Sequence, residues 1–238
     1  MYTTKVLDPS DLPHVIPLHE AYWRRDVPST EFEDKALLTA EAVPTILEPS
    51  LANGLSIALI DEETKKYVGI SLNWCTPKEK KEEIDIYFQH MEEGVGEKIE
   101  KINPELLEEL EPQSKFFMSL WENIDLFELY NVDKILSIGL ISVHEEFTRR
   151  GICQKLVAES VKRAAECGIG AVRAITVSLF SEKAFQNEGF DIVKDIKFEE
   201  YTFQDKHAFN PEAMGVHKRA CIQCKLVPGE KCTVCRIL

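Results

Sequence analysis

The chain has 238 residues, 44% of them hydrophobic and 29% charged, ordinary proportions for a folded protein at a length that one hydrophobic core still serves. Its 28 lysines and arginines face 41 acids, a formal charge of −13. That balance argues against general nucleic-acid binding, and the most apolar run, residues 135–143, is too short to cross a bilayer.

Alternation over residues 2–7 predicts a first strand. Asp8-Pro9-Ser10-Asp11 then opens a helix with apolar positions Leu12, Val15, Ile16, Leu18 and Tyr22, which ends before Asp26-Val27-Pro28. No apolar signal segment is visible at the amino terminus, nor a glycine at position 2, so a cytosolic protein is expected. A second helix is expected from Thr39, with Glu41 in its first turn, through Val43, Ile46 and Leu47 to Asn53-Gly54. Residues 55–60 and 67–74 are β-rich runs around a polar loop, the pattern of an antiparallel hairpin.

Periodicity is lost over 77–100. Residues 79–112 hold 12 acids against 4 bases, as expected of an acidic surface excursion. Helical spacing returns over 104–129, divided at Pro112. Residues 134–143 are short and β-branched, which predicts a buried central strand. A polar turn, Glu145-Glu146-Phe147-Thr148-Arg149-Arg150-Gly151, leads into a helix with Ile152, Leu156, Val157, Val161, Ala164 and Ala165 on one face and Gly168 as its stop. A strand at 171–177, a short helix at 178–188 closed by Gly189, and strands at 190–203 and 216–227 complete the order. The fold class expected is α/β with a mixed α+β sheet, in one domain over 1–227 followed by a Cys-containing tail, 228–238.

The strand–turn–helix junction carries chemistry. The first amides of a helix lack internal partners and sit at the positive end of its dipole, so they bind anions. Here the amides of Gly151, Ile152, Cys153 and Gln154 stand beside Arg149 and Arg150. They form either a cradle for a diphosphate or a plain turn with two solvated arginines. Gly168-Ile169-Gly170 lies between helix and strand, the wrong order for a dinucleotide fingerprint. Gly54-Leu55-Ser56-Ile57-Ala58 imitates a nucleophile elbow but begins a hairpin strand, so Ser56 is expected to be structural.

Residues 143–156, with Thr148-Arg149-Arg150-Gly151-Ile152-Cys153, resemble the acetyl-coenzyme A signature of the GCN5-related N-acetyltransferases, [QR]-x-x-G-x-[GA] after a strand. Ser178-x-x-Ser181-x-x-Ala184-Phe185-x-x-x-Gly189-Phe190 resembles their second signature. Tyr22-Trp23-Arg24-Arg25-Asp26-Val27-Pro28 is similar to the aromatic-x-x-D-E-P segment of the insect-type arylalkylamine N-acetyltransferases. The resemblance implies an acyl-CoA N-acyltransferase fold with splayed central strands and acetyl-CoA as co-substrate. It implies acetylation of a small primary amine, an arylalkylamine such as dopamine, tyramine or serotonin; a monomer or weak dimer is expected.

By the same resemblance the cofactor meets Ile141, Val143, Thr148, Arg149, Arg150, Gly151, Ile152, Cys153, Gln154 and Ser178, and a backbone amide around 140–143 meets the developing oxyanion. Departures are specific. Thr148 and Cys153 replace signature residues, Phe185 stands where many relatives hold a tyrosine acid, Val177 replaces a serine while Ser181 remains, and Val27 stands at the acidic position. Asp26, Glu20, His144 and Glu145 are therefore the candidate bases, and Asp26, His144 and Ser181 the catalytic candidates. With the acid replaced, a non-catalytic acetyl-CoA binder is the alternative.

Seven cysteines, at 75, 153, 167, 221, 224, 232 and 235, fit reduced thiols better than a disulfide framework. Cys221-x-x-Cys224 and Cys232-x-x-Cys235 have the form of a zinc site. Positions i and i+3 of a strand face opposite sides, however, so chelation requires the last strand to stop at Cys221. Structural thiols and no bound metal are expected. Cys235-Arg236-Ile237-Leu238 matches a prenylation pattern by chance, having Arg as its first aliphatic and no polybasic stretch before it.

Overall fold

The computed structural model describes residues 1–25, 43–83 and 115–227. The expected start of the second helix at Thr39, most of the acidic excursion and the tail 228–238, with Cys232 and Cys235, lie outside the described residues. Strand β1 (Tyr2–Val6) leads to a 3-10 turn, Pro9–Asp11, closed by a reciprocal cap. The Asp8 side chain accepts from the Ser10 amide, and Asp11 accepts from the Asp8 amide at 3.0 Å, which satisfies two otherwise orphaned donors. Helices α1 (Leu12–Trp23) and α2 (Val43–Ala52) are followed by β2 (Ile57–Asp61) and β3 (Tyr67–Pro77). After helical turns over 115–121 come α3 (Leu126–Tyr130), β4 (Lys134–Val143), α4 (Ile152–Glu166), β5 (Ala171–Thr176) and α5 (Leu179–Asn187). The chain ends its described part with β6 (Asp191–Lys197), β7 (Thr202–Phe203), β8 (Lys206–His207), α6 (Pro211–Met214) and β9 (Arg219–Leu226).

Seven strands form one mixed sheet in the order β1-β2-β3-β4-β5-β9-β6, in which β4 and β5 alone run parallel; β7 and β8 make a separate hairpin. Helices cover both faces, as a sheet with a parallel pair requires. Leu156 of α4 packs with Ile57, Leu59 and Val68 on one face, while Val15 and Leu18 of α1 and Leu47 and Leu51 of α2 pack with Ala58, Ile70, Leu72 and Leu140 on the other. Alternate residues of β2, Ile57 and Leu59 against Ala58, thus serve opposite layers, the period-2 rule of a strand, while β3 departs from it at Val68, where the β2–β3 register shifts.

A polar network pins these layers together. Buried Asn73 donates to the Leu55 carbonyl (2.9 Å) and to Ser160 on α4 (3.2 Å), and accepts from Ser71 (2.8 Å). Ser56 belongs to it, donating to the Ser50 carbonyl at 2.7 Å and accepting from the Asn73 amide at 2.9 Å. Its hydroxyl is fully engaged, as a structural serine requires.

Two sequence expectations need correction. The helix expected to run on to Leu129 breaks after 121, where Asn123 takes φ 62° and Asp125 caps a new helix by accepting from the amides of Phe127 and Glu128. The apolar spacing continues across that break, which hid it. The strand expected over 190–203 ends at Lys197, because the chain turns to bury Phe198 against Phe116 and Phe209, with ring centroids 5.5 and 4.9 Å away. The β7–β8 turn uses left-handed Gln204 and Asp205, φ 49° and 61°, a pair without the usual Asn-Gly signal. Strand β9 also continues through Leu226, so Cys224 joins the Phe116 cluster while Cys221 lies on the other face, its Sγ 3.6 Å from Glu182. The two thiols cannot chelate one ion.

Candidate active site

The site begins with a ladder that stops early. Strands β4 and β5 pair only from Ile135–Ala171 to Ile138–Ala174, after which β4 stays with β3 as far as Val143 and β5 stays with β9 as far as Thr176. At the parting point β4 carries a bulge. Leu72 pairs with Leu140 and Asn73 with Ile138, so Gly139 has no opposite residue, and bulges bend and twist a strand locally. The Trp74 ring occupies the space beside Gly139: a Cβ there would fall 1.9 Å from a ring atom.

Between the parted strands lies a cleft of about 280 Å³, with walls from Ile138, Gly139, Ile141 and Val143 on one side and Ala174 to Ser178 on the other. The start of α4 reaches it through Cys153, the start of α5 through Phe180 and Ser181, and the end of α1 through Tyr22 and Arg25. Three helix ends therefore converge where the sheet opens.

The junction into α4 is bent by two left-handed residues, Arg149 (φ 60°) and the cap Gly151 (φ 73°). The first is strained by about 1–3 kcal/mol for a residue with a Cβ. A Cβ at Gly151 would meet nothing within 4 Å, so open space lies beside the first amides of the helix. Thr148 donates its hydroxyl to the Glu145 carbonyl at 2.9 Å, closing the preceding turn. The Arg150 guanidinium lies 4.9 Å over the Phe147 ring, and Ile152 is buried with Leu59 and Phe147. Arg149 is exposed, and Gln154 is half-buried in the first turn of α4. Burial pushes the Cys153 thiol up to about 11, which keeps it protonated and unreactive at neutral pH.

On the opposite lip Ser178 caps α5, accepting from the Ser181 amide at 3.1 Å, and the two hydroxyl oxygens are 2.8 Å apart. Ser181 also donates to the Ser178 carbonyl at 3.0 Å. The Leu179 amide donates to Nδ1 of His217 at 3.1 Å, and burial lowers that imidazole's pKa, favouring the neutral acceptor this bond needs. Phe180 stands 70% exposed at the mouth, edge-on to His217, while Phe185 is buried against Phe190.

Of the expected site residues, Ile141, Val143, Cys153, Ser178 and Ser181 line the cleft, and Thr148, Arg149, Arg150, Gly151, Ile152 and Gln154 form the turn and helix start beside it. His144 is not brought to Ser181. Its Nδ1 accepts from the Glu146 amide at 3.3 Å, and its ring lines a neighbouring cavity with Glu145. Glu20 pairs with Arg24 at 3.3 Å, and Asp26 lies outside the described residues. Among the described residues that line the cleft there is neither a carboxylate nor an imidazole. Arg25 and Phe180 were missed by sequence reasoning. An aromatic in the first turn of a surface helix was the available signal for Phe180; nothing local marked Arg25. Its guanidinium donates to the Val143 carbonyl at 2.9 Å, to Ser142 Oγ at 3.3 Å and to the Ala21 carbonyl at 2.8 Å, tying α1 to the end of β4.

A mixed sheet parted between its two parallel strands, with a helix opening at the gap, is the fold of the GCN5-related N-acetyltransferases, and this chain has it. Arylalkylamine N-acetyltransferase 2 from Aedes aegypti superposes with a TM-score of 0.70 at 21% identity, covering 95% of this chain and 99% of that one. A putative arylalkylamine N-acetyltransferase 7 from the same mosquito gives 0.71 at 15%, covering 95% and 87%. Drosophila melanogaster polyamine N-acetyltransferase, which forms N-acetylagmatine, gives 0.67 at 12%, covering 95% and 100%. No protein-family model matches the sequence, and no curated protein does. Among the described residues no helix is long and apolar enough to cross a membrane.

Proposed function

We propose that this protein is an N-acetyltransferase that moves the acetyl group of acetyl-CoA to a small primary amine, with an arylalkylamine such as dopamine, tyramine or serotonin as the acceptor class. The observation that carries the reading is the parting of β4 from β5 beside the helix start at Gly151. The cleft is narrow and largely aliphatic, suited to a slender pantetheine arm, and the open space at Gly151 admits phosphate oxygens to the amides of 151–154. Arg149 supplies the nearby charge, since Arg150 is engaged on Phe147. Acetyl-CoA brings a thioester carbonyl with a tolerable leaving group. The resemblance to the insect enzymes and the fold shared with amine acetyltransferases support the acceptor class, as do the aromatic rings of Tyr22 and Phe180 at the cleft.

An alkylammonium has a pKa near 10, so about one molecule in a thousand is a free nucleophile at pH 7. In this reading Asp26, next in sequence to cleft-lining Arg25, takes the amine proton, Ser181 holds a proton at the cleft, and amides of β4 around 140–143 face the developing oxyanion. The reading includes a cytosolic location and a monomer or weak dimer. The lack of an acid or imidazole among the described lining residues favours one rival, a non-catalytic acetyl-CoA binder. Incubation with acetyl-CoA and a panel of amines, reading thiol release, separates the two. Turnover on at least one amine is expected; tight cofactor binding without thiol release on any amine refutes the enzyme.

A further inference from the structure

Past the end of β4 a second cavity, of about 620 Å³, opens between α1 and the β2–β3 turn. Pro13, Pro17 and Ala21, spaced four apart along α1, give it an apolar strip with Leu18 beside them. His14 lies flat on Tyr67 with centroids 4.5 Å apart, extending that surface. Around the strip stand four cations, Arg24, Arg25, Lys65 and Lys66. Among the described residues the carboxylates in reach are Glu145 in the lining, Glu20 at 3.3 Å from Arg24, Glu146 at 3.3 Å from Lys66, and Asp11, which accepts from the lining Tyr67 at 2.6 Å and is itself paired with Lys5. With Lys5 and Asp11 offsetting each other, the four lining cations against three acids are a local excess among the described residues, in a chain of net charge −13.

The two pairs are soft. Their side chains are 70% and 33% exposed for Arg24–Glu20, and 55% and 60% for Lys66–Glu146, so water screens them and an incoming anion can exchange with them. Among the described residues no carboxylate pairs with Arg25 or Lys65. Arg25 also lines the cleft, so the two cavities share this residue. A simple ammonium ion is repelled by such a surface, whereas an apolar body ending in a carboxylate matches strip and cations together.

We infer that this cavity is the carboxylate subsite of the acyl acceptor, so that the amine acetylated also carries a carboxylate on an apolar body, as an aromatic α-amino acid does. This rests on the acetyl-transfer reading above, and replaces its unsubstituted arylalkylamine by the carboxylated counterpart. The carboxylate sits among Arg24, Arg25 and Lys65, the apolar body lies along α1, and the amine is directed past Arg25 toward the cleft.

The test compares kcat/KM for L-phenylalanine and phenethylamine, and for L-tryptophan and tryptamine, in the wild type and in the exposed double variant Arg24→Gln/Lys65→Gln, with circular dichroism checking that the variant is folded. The wild type is expected to favour the carboxylated member of each pair at least tenfold, and the variant to lose most of that ratio. Preference for the decarboxylated amines, or an unchanged ratio in the folded variant, overturns the inference. If no amine is turned over, the acetyl-transfer reading fails on its own and calorimetry with 3-phenylpropionate decides the subsite. Binding weakened at least fivefold in the variant supports it. No binding, equal binding, or binding of inorganic phosphate alone overturns it.

Discussion

Gly139→Ala tests whether the bulge in β4 is what opens the sheet. A Cβ there would lie 1.9 and 2.0 Å from two atoms of the Trp74 ring, where carbon atoms rest at about 3.5–4.0 Å, so the ring must retreat by about 1.5–2 Å. Overpacking of this kind costs about 1–3 kcal/mol. For a chain of this length that amounts to a fall in Tm of about 2–12 °C. Urea denaturation of the variant is expected to show it as a lower midpoint at unchanged slope. The same substitution disturbs the strand where it leaves β5, so acetyl-CoA affinity is expected to fall at least tenfold. The contact with Trp74 is isolated by a double-mutant cycle: Trp74→Leu removes the obstacle, and the two changes together should cost at least about 1 kcal/mol less than the sum of the singles. Additive costs, or a single variant within about 0.5 kcal/mol of wild type, would refute the steric argument.

Three further outcomes are expected. Arg149→Gln is expected to weaken acetyl-CoA binding about tenfold in a salt-dependent way, and Arg150→Gln by less than threefold because its guanidinium is held on Phe147; equal losses by calorimetry would contradict that division. Desolvation raises the Asp11 pKa, but hydrogen bonds from Lys5, Tyr67 and the Asp8 amide outweigh it and hold the carboxyl below its ordinary value. The stability it contributes is present above about pH 4 and lost as pH falls through the depressed pKa; Asp11→Asn should flatten the denaturation midpoint between pH 5 and 3, and a wild-type slope in that variant would count against it. Asp26→Asn is expected to lower kcat by about 10²–10⁴ while leaving acetyl-CoA affinity intact, and full activity in that variant would move the base elsewhere.

What could be read in advance was local. Gly151 after two arginines, Ser178 ahead of a short amphipathic stretch, and the β-branched run over 134–143 each carry their geometry in a few adjacent residues, and each stands where expected. The helix break at Asn123 was hidden because the apolar spacing runs on across it, and the strand end at Phe198 because burial against the distant Phe116 overrides the local pattern.

The opening itself is a different kind of feature. It depends on two ladders releasing each other after Ile138 and Ala174, and on an indole from a neighbouring strand settling beside a glycine. No window of sequence contains those partners together. Arg25 shows the same limit from the side of function. In sequence it is one of two adjacent arginines near a helix end, and the neighbouring Arg24 forms an ordinary surface pair with Glu20. Only the packing of α1 across the end of β4 places the Arg25 guanidinium on the Val143 carbonyl and the residue in the lining of both cavities. Under the proposed acetyl-transfer reading, acceptor choice rests on such contacts between distant segments, which a shared sheet does not by itself fix.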